Sequence, residues 1–560
     1  MNKMTSASPF TVWHGDVEAG HINLSGAPPS WSQRFTWRIS QRKSFWRLWN
    51  QLSRLQRYLF YVGTAIFLVC WLLYQTWSHT ELTRQYTPTA MPEDSHSSHH
   101  TLEVHDGTVD RKTAVVQAFQ HAWRGYRRYA WGHDHLRPIS RDFHDWFGLG
   151  LTIVDAMDTL FIMGLTQELQ EARTWVSESL HFDVAKDVNL FETTIRVLGS
   201  LLSMFHLTQD SLYLAKAREL GDRLLPGFDS HSGIPYSDVN LRSGTAHAPI
   251  WAPDSTVSEV SSIQLEFRAL SRATKNPVYE HKAFAVSEHL HKLPKKDGLV
   301  PMFVNADTGR FATSSTLTLG ARADSHYEYL LKQWIQTGRT IDWLKEDYLT
   351  AIEGIRSNLV KYSKPNSLLF VGELVRGKTF SPKMDHLVCY LPGTLALGHH
   401  YGLPKDHLDL AQSLMDTCLQ TYAVNPTFLA PEISHFNTND EGEQDIVIKP
   451  NDAHNLLRPE TLESLWYLYY LTQNKTYQDW GWRIFQGFNK YCKVESGGYT
   501  SINNVRSALF PRPRDMMESF FLAETLKYLY LLFSDDATQQ YSPDKFIYNT
   551  EAHLLPVYNS

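Results

Sequence analysis

The chain has 560 residues, 42% hydrophobic, 20% charged and 13% aromatic, which excludes a wholly disordered, collagen-like or coiled-coil protein and implies several domains or one large closed architecture. Lys and Arg total 53 against 59 Asp and Glu, a formal charge of −6 without the cationic excess of a nucleic-acid binder. Four cysteines exclude a disulfide scaffold, and no CxxC pair or HExxH helix suggests zinc.

In chain order, residues 1–57 form a basic segment in which Arg34, Arg38, Arg42, Lys43, Arg47, Arg54 and Arg57 follow one another with no acidic residue between them. Residues 58–77, YLFYVGTAIFLVCWLLYQTW, carry no charge over the length that crosses a ~30 Å hydrocarbon core as a helix. Only Glu81 and Arg84 come soon after, so the charge asymmetry predicts a cytosolic N-terminus and a single-pass, type II signal anchor. A cleaved signal peptide is disfavoured by the long upstream segment. Residues 78–110 turn to Thr, Ser, Pro and His, including His96, His99 and His100, and predict a luminal stem with no core of its own. The remainder of the chain is then luminal, where Asn474-Lys475-Thr476 can accept a glycan; Asn23-Leu24-Ser25 matches the same motif on the cytosolic side and is discounted.

Residues 111–560 are dominated by amphipathic helical patterns such as TAVVQAFQHAWRGYRRYAW, SIQLEFRALSRAT, HYEYLLKQWIQ, ETLESLWYLYYLT and ESFFLAETLKYLYLLF. Strand-like stretches are short, KFIYNTEAHLLPV being the clearest. Acidic residues recur at expected helix starts: Asp155, Glu192, Glu259, Asp324, Asp385, Glu460 and Glu518. All gaps but the first suit one helical hairpin of about sixty residues, and seven hairpins fill the domain. Such repeats stack into a solenoid or close into a ring, and a ring brings these acids to one mouth.

Each acid also has a plain structural reading. Asn189/Glu192, Ser325/Glu328 and Asp515/Glu518 resemble capping boxes, and Glu460 after Pro459 complements a helix dipole. Many carboxylates at one mouth nevertheless repel one another and need cations, protons or sugar hydroxyls. Glycosidic cleavage requires two carboxylates in distinct environments, and aromatic-rich carboxylate pockets are read first as carbohydrate sites. Glu192 and Arg196 lie four apart on one helical face, and Arg322, Asp324 and Glu328 form a second charged set. The GLGL run at 148–151 is a poor match to a dinucleotide loop.

The stretches GLTIVDAMDTL, VNLFETTIRVLGSLLS, GIPYSDVNL, DGLVPMF, GARADSHYEYLLKQW, SPKMDHLVCYLPGTLALG, HNLLRPETLESLWYLYYLT, MESFFLAETLKYLYLLFSDD and YNTEAHLLPV resemble, in order over residues 111–558, the class I α-1,2-mannosidases, glycoside hydrolase family 47, and most closely their endoplasmic reticulum branch. The resemblance implies an all-α (αα)7 barrel with short β-hairpins, calcium-dependent removal of terminal α-1,2-linked mannose from high-mannose N-glycans with inversion, and a monomer resident in the endoplasmic reticulum or early Golgi membrane. It implies Glu192 as general acid oriented by Arg196, Asp324 as a second acid candidate and Glu460 as general base. For inversion, acid and base carboxyls should lie about 6.5–9.5 Å apart.

It further implies Thr550 as the calcium ligand, through its hydroxyl and carbonyl oxygens. Glu259, Glu266, Arg322, Glu328, Asp385, His386, Glu432, Arg458, Glu463, Glu518 and Glu551 are substrate-site candidates by the same resemblance. Arg322 fits the endoplasmic reticulum branch and the trimming of a nine-mannose glycan to eight. Cys389 and Cys418 match the family's disulfide; Cys70 falls in the span and Cys492 is left as a buried thiol. Two alternatives are a lectin-like, degradation-enhancing relative with little hydrolytic activity, and an unrelated α-toroid such as a cyclase or prenyltransferase. The presence of Glu192, Asp324, Glu460 and Thr550 argues against both.

Overall fold

In the computed structural model, residues 110–558 are described apart from 251, 313, 440 and 441. The anticipated span at 58–77, most of the stem and Cys70 lie outside the described residues, among which no helix is long and apolar enough to cross a membrane.

Eighteen α-helices occur among the described residues. They are α1 (Arg111–Tyr129), α2 (Leu151–Asp155), α3 (Met157–Ile162), α4 (Thr166–Glu178), α5 (Leu190–Thr193), α6 (Gly199–Thr208), α7 (Ser211–Leu224), α8 (Val257–Ser261) and α9 (Gln264–Thr274). After them come α10 (Val278–Lys292), α11 (Asp324–Gln336), α12 (Asp342–Asn358), α13 (Leu391–His400), α14 (Lys405–Ala423), α15 (Glu460–Thr472), α16 (Thr476–Tyr491), α17 (Leu526–Leu532) and α18 (Asp535–Gln540).

Two kinds of helix alternate. In α11 every residue from Ser325 to Gln336 is buried, the mark of a helix covered all round. Its successor α12 buries Leu344, Tyr348, Ala351, Ile352 and Ile355, one stripe at helical spacing, so it has one face in water. The pairs α3/α4, α6/α7, α9/α10, α11/α12, α13/α14 and α15/α16 pack as hairpins, and α1 returns to pair with α17 as the seventh. The covered helices also touch one another in sequence, α3–α6–α9–α11–α13–α15–α17. The π-helical turn Phe521–Thr525, which leads into α17, packs on α3 and closes that ring. The described residues therefore form a closed barrel of seven inner and seven outer helices.

The two ends of the barrel differ. Links from inner to outer helix are short, and several begin with a left-handed residue that ends the inner helix: Gln209 (φ 59°), Lys275 (φ 57°) and Gln473 (φ 56°). The exposed Asn474 lies in one of these links. Links from outer to inner helix are long and carry most of the strands, all antiparallel and two to four residues each, including β1 (Asp187–Asn189), β2 (Lys383–Asp385) and β3 (Ile433–Phe436). All inner helices consequently start at the long-loop end, which sets their N-terminal dipoles around one mouth.

A C-terminal hairpin of β4 (Phe546–Tyr548) with β5 (Leu554–Pro556) plugs the barrel, β5 packing on α6 and α9. Cys389 and Cys418 form a disulfide, tying the 3-10 turn before α13 to α14, while Cys492 is a buried thiol.

Several sequence expectations need correction. Asp155 ends α2 rather than starting a helix, because Gly150, at φ 62°, begins the helix five residues earlier. Ser325 does not cap Glu328: Asp324 already lies inside α11, and Ser325 instead accepts from the Ser262 hydroxyl. Asp515 spends its carboxylate on the backbone N–H groups of Ile139 and Ser140, so it is no cap either. The capping box that does form is Thr256 with Glu259. The pattern ESFFLAETLKYLYLLF is not one regular helix but a π-helical turn followed by α17.

Candidate active site

The acids at the mouth are joined by a closed circuit of contacts. Asn189 caps α5, accepting from the Glu192 N–H, and the Glu192 carboxylate accepts from Arg196 Nε at 2.9 Å. Arg196 sits in a π-helical turn, Thr194–Leu198, which widens the helix and turns its guanidinium across to Glu551 and to Asp155 at 3.7 Å. From Asn189 the circuit continues to Glu259, whose oxygens also accept from Ser237 and the Thr256 N–H. Ser258 donates to Asp324 at 2.7 Å, and Asp385 accepts from the Ala321 N–H. His386 places Nδ1 2.8 Å from Glu460, and Arg458 lies 3.8 Å from Glu460 while holding both oxygens of Glu432 at 2.8 Å. The guanidiniums of Arg458 and Arg196 both lie over the ring of Phe520, 5.8 and 5.7 Å from its centroid, which completes the circle.

Most of the expected site residues are thus brought together. Glu328 and Glu463 lie deeper, both paired with Lys332, whose ammonium is completely buried. Glu266 accepts from Tyr329 and Asn549, each at 2.7 Å. Glu518 stands at the rim, 3.6 Å from His135, and Arg322 is exposed in a left-handed conformation (φ 82°), its guanidinium over Phe303.

Two mouth carboxyls that begin inner helices on either side of α13 are shifted in opposite directions. Burial pushes Asp324 up to about 7, outweighing the hydrogen bonds from Ser258 and the Ser325 N–H, with Glu328 and Glu460 adding repulsion. Burial also penalises the Glu460 carboxylate, yet the His386 hydrogen bond and the charges of His386 and Arg458 bring it below its ordinary value. Glu266 and Glu463 are likewise raised to about 7, chiefly by burial; burial also pushes Glu524 and Glu551 well above the carboxylate range, helped by Glu551 and Glu460 for the first and by Asp155 and Glu192 for the second.

Thr550 lies in the β4–β5 turn at the foot of this acidic well. Its N–H donates to the Tyr329 hydroxyl, which in turn donates to Glu266. Asn549 fixes the turn by accepting from the N–H groups of Glu551 and His553 while donating to Glu266 and the Ile195 carbonyl. Glu266 Oε2 is buried with no hydrogen-bond partner. Oxygen donors, surplus negative charge and an orphaned carboxylate oxygen suit a hard cation such as calcium rather than a soft one. Among the described residues, no group of three or more His, Cys, Asp or Glu side chains is placed to hold a metal by itself.

Sequence reasoning missed Lys332, Phe520 and Glu524. A lone lysine in a helical pattern reads as a solvated residue, and only packing shows Lys332 compensating two buried acids. Glu524 lies within the ESFFLAET stretch, but the π-helical turn that aims it inward has no sequence signature.

Comparison with known proteins gives a consistent picture. The family profile Glycosyl hydrolase family 47 matches residues 118–557. The endoplasmic reticulum mannosyl-oligosaccharide 1,2-alpha-mannosidase of Rattus norvegicus is 58% identical over 452 residues, 80% of this chain and 68% of that protein. The mannosyl-oligosaccharide 1,2-alpha-mannosidase of Candida albicans is 41% identical over 80% of this chain and 84% of its own length. Among solved structures, the alpha-1,2-mannosidase from Trichoderma reesei superposes with a TM-score of 0.75 at 29% identity, covering 80% of this chain and 99% of that one.

Proposed function

The chain belongs to glycosyl hydrolase family 47, and from that premise we propose that it removes terminal α-1,2-linked mannose from high-mannose N-glycans, with Glu460 as general base and Glu192 as general acid. It is a glycosidase of the α-1,2-mannosidase type. One observation carries the mechanistic reading: His386 and Arg458 hold Glu460 below its ordinary value, while burial raises Asp324, Glu266 and Glu463 toward their protonated forms.

An ionised Glu460 can take a proton from water as the water oxygen attacks the anomeric carbon. Glu192, oriented by Arg196 and by the Asn189 cap, gives its proton to the departing glycosidic oxygen. The sugar leaves with inverted configuration, Glu460 later releases its proton to solvent, and Glu192 recovers one. Asp324, which holds a proton up to about pH 7, is the second acid candidate and a hydrogen-bond donor to a sugar oxygen. Phe520 offers a flat apolar surface between two guanidiniums, suited to the C–H face of a pyranose.

Thr550 would hold a calcium ion through its hydroxyl and carbonyl oxygens, with Glu266, Glu328, Glu463, Glu524 and Glu551 supplying negative charge around it. When bound, the ion supplies a positive charge and open coordination positions beside the sugar hydroxyls and the attacking water. Asp385, Glu432, Glu259 and Glu518 shape the rim, and exposed Arg322 supports selection of one branch, hence trimming of nine mannoses to eight.

We assign residues 1–57 to the cytosol, 58–77 to a membrane anchor, 78–110 to a stem and 111–560 to a luminal, monomeric catalytic domain. The uncharged run at 58–77 and the endoplasmic reticulum naming of the rat relative support residence in that membrane. The test is digestion of a nine-mannose N-glycan by residues 111–560, with and without a calcium chelator, reading product isomers and anomeric configuration. One eight-mannose isomer with β-mannose, abolished by chelation, is expected. Trimming to five mannoses would give Golgi-type specificity, and glycan binding without release would favour the lectin-like reading.

A further inference from the structure

Behind Arg196 lies a group of ionisable side chains that the reaction above does not use. Asp155, Asp158, Lys527 and His553 are all completely buried. His553 Nδ1 is 2.9 Å from Asp158 Oδ2 and its Nε2 is 3.0 Å from Asp155 Oδ1. A neutral imidazole has one N–H and can donate to only one of them; bonding to both carboxylates needs a proton on each nitrogen. His553 is therefore an imidazolium, and its ionisation is raised by Asp158 and Asp155 against the cost of burial.

Asp158 is matched a second time, by Lys527 at 2.8 Å and by the Ser203 hydroxyl at 2.9 Å, and its carboxyl is held down at about 2 against burial. The cluster thus pairs its own charges, two carboxylates against an imidazolium and an ammonium. Asp155 Oδ2 is buried, and it faces Arg196 Nη1 at 3.7 Å, on the opposite side of the guanidinium from Glu192 on Nε.

We propose that Asp155, kept ionised by His553, is a positioning residue for the proton donor: it competes for Arg196 so that this guanidinium does not hold Glu192 permanently as a carboxylate. An arginine serving Glu192 alone would make it a poor acid. Arg196 is not committed in that way: its Nε meets Glu192 while its Nη1 meets Glu551 and faces Asp155. Burial favours neutral Asp155, so its charge depends on the imidazolium; Lys527 and Glu266 are the other charged groups facing His553. The inference rests on Glu192 as the acid.

The test is the pH profile of kcat for the calcium-saturated enzyme on a nine-mannose glycan. In Asp155→Asn, Arg196 turns more fully to Glu192, whose carboxylate form is favoured, so the alkaline limb should move down by about one pH unit with KM little changed. His553→Gln should move the limb the same way, because Asp155 without its cation takes up a proton. A purely structural role lowers stability and active fraction and leaves the limb where it is. An unmoved limb in a folded Asp155→Asn protein, with Glu192→Gln inactive, overturns the proposal; substantial turnover in Glu192→Gln overturns the acid assignment instead. Should both variants fail to fold, nitrogen-15 histidine spectra of the wild type decide: two protonated ring nitrogens on His553 at pH 7 are required, and a neutral ring overturns it.

Discussion

Glu460 and Asp324 both begin inner helices, and both are largely buried, yet one is held ionised and the other holds a proton to about pH 7. The difference is their partners: a histidine and an arginine for Glu460, a serine hydroxyl and a backbone N–H for Asp324. Helix position supplies the dipole to each alike; the neighbours decide the charge. Glu460→Gln should lower kcat about a thousandfold with KM little changed, measured on a nine-mannose glycan. His386→Asn removes a partner of the charged form, so the Glu460 carboxyl rises and the acid limb of kcat/KM should move to higher pH. Thr550→Ala should raise the calcium concentration needed for half-maximal activity, read by titration after chelation. An unchanged requirement would remove Thr550 as the ligand.

At the scale of elements, the π-helical turns at Thr194–Leu198 and Phe521–Thr525 interrupt helices that the hydrophobic pattern reads as continuous. Each aims an ionisable side chain, Arg196 or Glu524, into the well. The β4–β5 turn is fixed in turn by close approach: a Cβ on Gly199 would lie 2.7 Å from Asn549 Nδ2 and 3.1 Å from His553 Cδ2. Gly199→Ala should therefore displace the turn that carries Thr550, destabilise the protein by about 1–3 kcal/mol and weaken calcium binding, seen by thermal unfolding with and without calcium. The Cys389–Cys418 bond closes a loop across 29 positions, so Cys418→Ala should cost about 3–4 kcal/mol in oxidising buffer.

For the whole molecule, the acidic well gives stability a definite pH dependence. Asp324, Glu266 and Glu463 are raised to about 7 in the folded state. A raised carboxyl is fully tolerated below its unfolded value near 4, and its contribution is lost as pH rises through 7. Calcium-free protein should therefore unfold at progressively lower temperature from pH 5 to pH 8. Added calcium, by binding the folded state alone, should raise the transition more at pH 8 than at pH 5. Equal calcium stabilisation at both pH values would place the ion away from these acids.

The sequence by itself determined the helical pairs, because burial on one face or on all faces is written in local spacing. It also determined the acids at the mouth, because inner helices in a repeat begin at the same end. The family motifs, from FETTIR to NTEAH, carried the identities of the acid, base and metal-ligand candidates and the disulfide pairing. Only the tertiary structure decided which carboxyls are charged, since Lys332 reaches Glu463, His386 reaches Glu460 and His553 reaches Asp155 from positions far away along the chain. It also decided that Glu259 serves as a cap while Ser325 and Asp515 do not, because the helix starts are set by the turns that precede them. Charge state depends on burial and on neighbours across the barrel, and neither is a property of local sequence.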